Sequence, residues 1–180
     1  MRTSAFGKPI IVIAVGVTLV GFLRSAAAQS TQIRTEYLMT LYAPLQAMQA
    51  VNADLFIVNP RDGGYVEGPR IKGKIIQPSG DWLRRMPNGT NRLDVRLTVQ
   101  TDDNALIYVE YGGIQKISKE AGERLAKDET LGADDAYFII TPRFQTTAEK
   151  YAWLNDVQAV GRMVSLKRGD HVKYEIFSVR

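Results

Sequence analysis

The sequence predicts an all-β protein, a sandwich or a β-barrel of about nine or ten short strands with one short helix. Short runs rich in β-branched, aromatic and aliphatic residues recur at near-regular spacing between turn signals. One segment alone, Ser118 to Asp128, has convincing helical spacing. Strands and helices do not alternate as βαβ units, so a sandwich or barrel is favoured over a parallel α/β fold. A barrel would also remove the exposed edges that such a meander leaves.

The first 28 residues predict a secretory signal peptide, which leaves one domain over residues 29–180. Arg2 and Lys8 precede an apolar run, Ile10 to Leu23, that leads into Ser25 to Ala28. The alternative is a membrane anchor, but the run is shorter than the roughly 20 residues of a spanning helix. We therefore expect a periplasmic or secreted protein that has no membrane association after cleavage.

Composition restricts the partners. The whole chain has a formal net charge of +4, but Arg2, Lys8 and Arg24 belong to the predicted leader, so the remaining domain is close to neutral. We therefore expect no nucleic-acid partner. The chain has no cysteine, so its own core must hold it without disulfides. A small molecule is the expected partner, and a homo-oligomer is compatible with the sequence.

The first half of the domain predicts four strands. Pro44 ends the first because proline cannot donate to a ladder, and Pro78-Ser79-Gly80 breaks the chain after the fourth. Asn59 to Gly64 is a turn cluster whose glycines permit positive φ. The predicted strands are Ile33–Ala43, Ala53–Val58, Tyr65–Gly68 and Ile71–Gln77.

A hairpin from Leu93 to Tyr108 is the clearest strand pair, and Asn88-Gly89 is a strong turn signal before it. Leu93, Val95, Leu97 and Val99 alternate with polar residues, and Thr101 to Asn104 forms the turn. Asp94 and Arg96 therefore share one face. Spacing alone leaves open whether that face is the lumen, where a buried ion pair is costly unless functional, or solvent.

The second half predicts the helix, with Ser118 as its N-cap, and further strands. Lys167 to Asp170 has the composition of a hairpin loop. Thr141 to Phe144 is a bend or an edge, and Tyr151 to Asn155 is a short segment of uncertain type. The predicted strands are Tyr137–Ile140, Val157–Leu166 and Val172–Val179.

Missing residue types exclude several kinds of site. With one histidine and no cysteine, the chain alone cannot build a structural zinc site or a histidine-based facial triad. We identify no serine nucleophile with a histidine base, because His171 falls in the last hairpin as a partly exposed strand residue. Asp102 and Asp103 are interpreted as turn residues rather than calcium ligands. We expect no metal and no other cofactor.

Polar and aromatic residues at strand ends and turns are candidates for a small-molecule site. Converging arginines suit a carboxylate or another oxyanion, and tryptophan and tyrosine supply an apolar wall. The candidate acids or bases are Asp94, Glu67 and Asp81. The candidate ligand-binding residues are Arg70, Trp82, Asp94, Arg96, Tyr108, Arg143, Tyr151, Trp153 and Asn155.

Several of these segments together resemble the DUF3237 family, also called UPF0311. The resemblance covers roughly Thr35 to Val179 and implies a single-domain antiparallel barrel, open enough at one end to admit a small ligand. It also favours the lumen side for Asp94 and Arg96. Asn104 stands where the family usually has glycine, and the signal peptide is unusual for the family. The matching segments are Gly63-Gly64, Glu67–Gly73, Gly80–Trp82, Leu93–Arg96, Thr101–Asp103, Ala105–Tyr108, Tyr137-Phe138, Thr141–Phe144 and Tyr151–Asn155.

Two functions remain open at this point, and an envelope interaction protein without a small ligand is a weaker third. The first is an exported binding barrel with an Asp/Arg and aromatic pocket, whose ligand carries a carboxylate or another oxyanion. The alternative is a cofactor-free lyase, isomerase or cyclase that uses the same pocket for acid–base catalysis. A binding protein should keep its pocket carboxylates ionised and paired, whereas acid–base catalysis needs one in an apolar pocket with a raised pKa.

Overall fold

Antiparallel strands account for most of the chain from residue 32 to residue 180, the part that this computed structural model describes. Within it, Ile33–Arg180 forms one unit. The signal-peptide prediction for residues 1–28 lies outside the described residues and stays a prediction.

Eleven strands and two short helices make up the described chain. One helix is α1 (Lys119–Ala126), and the other is a 3-10 helix over Glu149–Asp156. Neither has the length and apolar character that crossing a bilayer would require. The strands are β1 (Thr35–Pro44), β2 (Gln49–Ala50), β3 (Leu55–Val58), β4 (Tyr65–Gly68), β5 (Ile71–Arg85), β6 (Asn91–Thr101), β7 (Leu106–Ile117), β8 (Leu131–Gly132), β9 (Ala136–Gln145), β10 (Ala159–Lys167) and β11 (His171–Val179).

Eight of the strands close into a barrel. Around the ring they run β5-β4-β1-β11-β10-β9-β7-β6, and pairing of β5 with β6 completes the circle. Strands β2, β3 and β8 lie outside the ring, where β3 pairs with β5 and β8 pairs with β10. The predicted all-β antiparallel barrel is confirmed, and two-residue strands such as β2 and β8 account for the larger strand number.

The predicted hairpin and helix form as their sequences indicate. In β6, Leu93, Val95, Leu97 and Val99 are all buried, because the alternation turns the whole aliphatic set to the lumen. Asn104 adopts a positive φ of 65° in the turn between β6 and β7, a conformation that asparagine tolerates. The Ser118 hydroxyl caps α1 by accepting a hydrogen bond from the Ala121 N–H at 3.2 Å.

Strand β5 differs from the prediction, because it continues past Pro78 to Arg85. The β5–β6 ladder shifts register between Ile76 and Gly80, so Pro78 falls in a bulge that demands no donor from it. At this bulge, the Gln77 side chain accepts a hydrogen bond from the Ser79 N–H at 2.8 Å, in place of a backbone partner on the neighbouring strand. The break predicted at Pro78 is therefore wrong, and the extension brings Asp81 into the barrel wall.

Strand β9 likewise runs on through Pro142 to Gln145. It pairs with β7 along its length but with β10 only at Ile139 and Ile140. Pro142 therefore lies where one side of the strand is unpaired, which agrees with the predicted edge but not with a bend.

The two ends of the barrel differ. At the end near the β6–β7 turn, the 3-10 helix buries Tyr151 and Leu154 against the core. At the opposite end lie the β5–β6 turn, the C-terminal part of α1 and the β10–β11 loop. Leu125 of α1, Arg168 of the β10–β11 loop, and Arg85 and Asn91 on either side of the β5–β6 turn line the cavity at this end.

Candidate functional site

A cavity of about 240 Å³ lies in the barrel lumen and reaches solvent at the end opposite the 3-10 helix. Aliphatic and aromatic side chains form most of its wall, including Leu93, Val95, Leu97 and Phe138. An apolar enclosure with a few polar groups is the usual composition of a small-molecule site. For scale, a dry cavity of roughly 150 Å³ accommodates benzene, so this one suits a molecule of modest size.

Asp81 is the only carboxylate that lines this cavity in the described chain. Strand pairing sets it beside Val95, which in turn pairs with Tyr111 across β6 and β7. Its Oδ1 accepts a hydrogen bond from the Asp94 backbone N–H at 3.0 Å. That bond fixes the carboxyl group, while Oδ2 has no hydrogen-bond partner among residues 32–180.

The Asp81 carboxyl is poised to change protonation near neutral pH. Burial in the apolar lumen raises its pKa from 3.8 to about 7. The hydrogen bond from the Asp94 N–H opposes this shift, and the negative charge of Asp94 adds to it. Near neutral pH the group therefore exists in both forms, as an acid–base catalyst requires.

Two buried tyrosines lie near Asp81. Tyr111 is 6% exposed and Tyr174 is 1% exposed, and both line the cavity. Their rings meet edge to face with centroids 6.1 Å apart, and Phe138 packs against Tyr174 at 5.3 Å. Burial raises the pKa of both phenols, and the charge of Asp81 raises them further. Both hydroxyls are therefore neutral near pH 7, and neither forms a hydrogen bond with another group of the described residues.

The entrance is polar. Arg85 at the end of β5 pairs in register with Asn91 of β6, and Asn91 pairs with Gln115 of β7. The Asn91 amide donates to Gln115 Oε1 at 2.6 Å. Arg168 reaches the entrance from the β10–β11 loop. These side chains form what we call the rim.

The expectation that Asp94 and Arg96 face the lumen is wrong. They form an ion pair of 3.0 Å on the outer surface, where each side chain is at least half exposed. The Arg96 guanidinium carbon also lies 5.6 Å from the ring centroid of Trp82, which is exposed as well. One face of β6 had to be buried, and burying its aliphatic set gains hydrophobic free energy without desolvating two charges.

Other predicted site residues also lie on the outer surface. Arg143 pairs with Glu110 at 3.1 Å, and the Tyr108 hydroxyl is within 3.5 Å of the same carboxylate. Glu67 is exposed and lies 3.7 Å from Lys72. Arg70 packs over the half-buried ring of Trp153 at 3.7 Å. None of these residues lines the lumen cavity.

Tyr151 and Asn155 lie at the closed end, and a 3-10 helix replaces the extended segment in which they would share a face. The Tyr151 hydroxyl donates to Asp103 at 2.9 Å, and Lys150 pairs with Asp103 at 2.6 Å. Asp103 thus joins the β6–β7 turn to the helix, which agrees with a turn role. No cluster of three or more potential metal ligands occurs in the described part of the chain.

Of the predicted site residues, Asp81 alone lines the cavity. Its companions Tyr111 and Tyr174 were not predicted, although both are in phase with aliphatic residues of their strands. Tyr111 alternates with Ile107 and Val109, and Tyr174 alternates with Val172 and Ile176. That phase would have assigned both tyrosines to the lumen.

A serine, a histidine and an aspartate meet on the outer wall, which the sequence analysis did not anticipate. Ser165 Oγ lies 2.8 Å from His171 Nε2, and His171 Nδ1 lies 3.2 Å from Asp170 Oδ2. Their neighbours Leu166 and Val172 line the lumen, so Ser165 and His171 face away from it. The contacts connect β10, β11 and their loop and lie outside the candidate site.

Comparison with known proteins gives a family match over nearly all of the described chain. The model of the family described as "Protein of unknown function (DUF3237)" matches residues 33–179. A UPF0311 protein of Rhodopseudomonas palustris is 27% identical over 150 residues, which cover 82% of this chain and 97% of that protein. The hydroalkoxylation enzyme phnH of Penicillium herquei is 31% identical over 113 residues, covering 62% of this chain and 60% of the enzyme.

Solved structures share the fold. A conserved protein of unknown function from R. palustris superposes with a TM-score of 0.75 at 27% identity, covering 83% of this chain and 98% of that one. A beta-barrel like protein from Acinetobacter baumannii has a TM-score of 0.67 at 30% identity, with coverages of 83% and 97%. An enzyme from P. herquei has a TM-score of 0.58 at 21% identity, with coverages of 85% and 98%.

Proposed function

Since this chain belongs to the DUF3237 family, also called UPF0311, we propose that its barrel lumen is a cofactor-independent active site in which Asp81 is the general acid. The observation that carries the proposal is a carboxyl group with a raised pKa in an apolar cavity, beside two tyrosine hydroxyls that have no hydrogen-bond partner among residues 32–180. The partial similarity to a hydroalkoxylation enzyme supports the same class of chemistry.

The proposed reaction adds a hydroxyl group of the substrate across a carbon–carbon double bond of the same molecule. Asp81 donates its proton to one alkene carbon, and the substrate oxygen forms a bond to the other carbon. The hydroxyl proton then returns to the Asp81 carboxylate, so every atom and charge is restored. Because the Asp94 N–H holds Oδ1, the proton exchanged is assigned to Oδ2. General acid–base catalysis of this kind contributes about 10²–10⁴-fold in rate.

Tyr111 and Tyr174 supply neutral donors next to the acid. Phenols aimed at an oxygen that gains negative charge stabilise it strongly in a low-dielectric site. They suit a double bond conjugated to a carbonyl group, whose oxygen gains charge as the new C–O bond forms. The apolar wall would hold the carbon skeleton and exclude water.

The binding-barrel alternative requires the same cavity but an ionised and paired carboxylate. Asp81 meets neither condition, because its pKa is raised and none of the ion pairs of the described chain includes it. The site therefore favours catalysis over capture.

The test uses two model substrates that cyclise without a change of mass, 2-allylphenol and 2′-hydroxychalcone. We expect the protein to accelerate closure of one of them at pH 6, with a rate that falls as the pH rises through about 7, because the acid form of Asp81 is lost. Asp81→Asn should lower the rate by about 10²-fold or more, and Tyr111→Phe by roughly tenfold.

The matched control is Glu67→Gln, which changes an exposed carboxylate that lies 3.7 Å from Lys72 and does not line the cavity. Its rate should equal that of the wild-type protein. Full activity of Asp81→Asn would overturn the role of Asp81. If the protein accelerates closure of neither model substrate between pH 5 and 9, this chemistry is contradicted and the binding alternative is favoured.

A further inference from the structure

Two arginines at the rim have no acidic partner in the part of the chain that the structure describes. Arg85 and Arg168 take part in none of the ion pairs within residues 32–180, and both line the cavity entrance. On the outer wall, by contrast, Arg96 and Arg143 each lie within 3.1 Å of a carboxylate oxygen. The rim therefore carries positive charge that the described chain itself does not neutralise.

The Arg85 side chain packs on an aromatic ring, and the backbone of the loop that carries Arg168 is hydrogen-bonded to β1. The Arg85 guanidinium carbon lies 4.9 Å from the Phe56 ring centroid, and the Arg85 N–H donates to the Asp54 carbonyl at 2.8 Å. The loop that carries Arg168 is tied to the end of β1, where the Leu45 N–H donates to the Asp170 carbonyl at 2.7 Å. Such anchoring reduces the entropy lost when a ligand group is bound.

The register places the rim at a defined height above Asp81. Arg85 and Asn91 form one rung of the β5–β6 ladder, and Asp81 and Val95 form another four residues deeper. At about 3.3 Å per residue, the two rungs are roughly 13 Å apart along the strands.

We propose that the rim selects a substrate with an anionic oxygen group, such as a carboxylate, which Arg85 and Arg168 bind while the apolar body extends down the lumen to Asp81. Guanidinium groups bind carboxylates by strong, directional hydrogen bonds, and the Asn91–Gln115 pair adds polar contacts at the same level. This inference rests on the proposed function, because it names the substrate class of the same site.

The test compares two probes of equal shape, 2-naphthoate and 2-naphthamide, whose binding is measured by titration calorimetry at pH 8. We expect the wild-type protein to bind naphthoate at least tenfold more tightly than the amide. Arg85→Gln and Arg168→Gln should each weaken naphthoate binding by about threefold to tenfold, and the double variant should abolish the preference. Binding of the amide should change little in any of them.

Arg84→Gln is the matched control, since Arg84 is the exposed neighbour of Arg85 on β5 and does not line the cavity. It should leave both affinities unchanged. Equal binding of the two probes, binding of neither, or an equal effect of Arg84→Gln and Arg85→Gln would overturn the inference.

Asp81→Asn separates this inference from the proposed function. If the carboxylate of the probe is held at the rim, the variant should bind naphthoate with near wild-type affinity even though it is inactive. If Asp81→Asn raises the affinity for naphthoate and the rim variants leave it unchanged, the anion binds beside Asp81 and the inference is refuted. If turnover depends on Asp81 but the rim variants do not change naphthoate binding, the catalytic proposal stands and its substrate is neutral.

Discussion

Asp81 and Asp94 are joined by a hydrogen bond, yet their carboxyl groups occupy opposite environments. Asp81 faces the lumen from β5, whereas Asp94 faces solvent from β6 and pairs with Arg96. Burial raises the pKa of Asp81, whereas the Asp94 carboxylate is exposed to water and lies 3.0 Å from the Arg96 guanidinium. Side-chain direction on a strand, rather than residue type, therefore decides which carboxylate can act as an acid near pH 7.

The shifted pKa of Asp81 predicts how stability depends on pH. A carboxyl whose pKa is higher in the folded than in the unfolded state binds more protons when folded, so it stabilises the fold fully below about pH 4. That contribution is lost as the pH rises through about 7. At roughly 1.4 kcal/mol per pH unit, the loss between pH 4 and pH 8 should amount to a few kcal/mol.

Urea unfolding of the wild-type protein and of Asp81→Asn between pH 5 and 8 measures this effect. The wild-type free energy of unfolding should fall by more over this range than that of Asp81→Asn, and the variant should be the more stable of the two at pH 8. Glu67→Gln, which changes an exposed carboxylate outside the cavity, should keep the wild-type slope. Parallel curves for the wild-type protein and Asp81→Asn would show that the carboxyl titrates normally.

At the scale of elements, the 3-10 helix closes the barrel through a side chain that the sequence suggested as a ligand contact. Asn155 Oδ1 accepts from the Thr146 N–H at 2.9 Å, and Asn155 Nδ2 donates to the Thr146 carbonyl at 3.0 Å. The Thr146 hydroxyl in turn donates to the Leu106 carbonyl of β7 at 2.7 Å. Asn155 thus satisfies the backbone where β9 ends and the helix begins.

Asn155→Ala should destabilise the fold without affecting the cavity. It leaves two backbone groups of the buried Thr146 without their partners, which should lower the free energy of unfolding by about 1–3 kcal/mol. Chemical denaturation measures the loss, and naphthoate titration checks that affinity is retained. Asp156→Ala, a change at the exposed next residue, should stay within about 0.5 kcal/mol of the wild-type protein. A large loss of naphthoate affinity in Asn155→Ala would indicate that Asn155 belongs to the ligand site.

At the scale of the whole molecule, the barrel is packed at one end and hollow at the other. Val95 and Val99 both point into the lumen from β6, but Val95 lines the cavity and Val99 does not. Val99 belongs to the buried core that also contains Tyr151 and Leu154 of the 3-10 helix, whereas Val95 borders the empty volume. This asymmetry allows one small domain to combine a stable core with a site.

Enlarging each valine should therefore have opposite consequences. Val95→Phe projects into the cavity and should cost less than about 1 kcal/mol of stability while blocking naphthoate. Val99→Phe must displace packed neighbours and should cost about 1–3 kcal/mol while leaving the site intact. Urea unfolding and titration of both variants measure the difference. Equal destabilisation of the two would mean that the lumen is packed evenly along its length.

Local signals in the sequence were sufficient for most of the secondary structure. The alternation from Leu93 to Val99, the turn at Thr101 to Asn104 and the Ser118 cap act within a few residues, so each could be predicted from its own segment. The antiparallel barrel followed from the number and spacing of such segments together with the family resemblance. At Pro78 and Pro142 the sequence wrongly predicted that a strand ends. A bulge accommodates Pro78 and an unpaired side of β9 accommodates Pro142, and both features depend on strands that are distant in the sequence.

The site could not be predicted from local signals, because it forms only when the eight strands close into a ring, and no single segment of the sequence determines that closure. Asp81, Tyr111 and Tyr174 lie on three strands separated by 30 or more residues, and only the register of the barrel brings them to one level of the lumen. The sequence included Asp81 among its candidates, but the arginines that it favoured, Arg96 and Arg143, lie on the outer wall, whereas Arg85 and Arg168 line the cavity entrance. The sequence by itself determined which residues alternate; the tertiary structure decided which alternating face is inside, because burying aliphatic side chains is favourable and desolvating charged ones is costly.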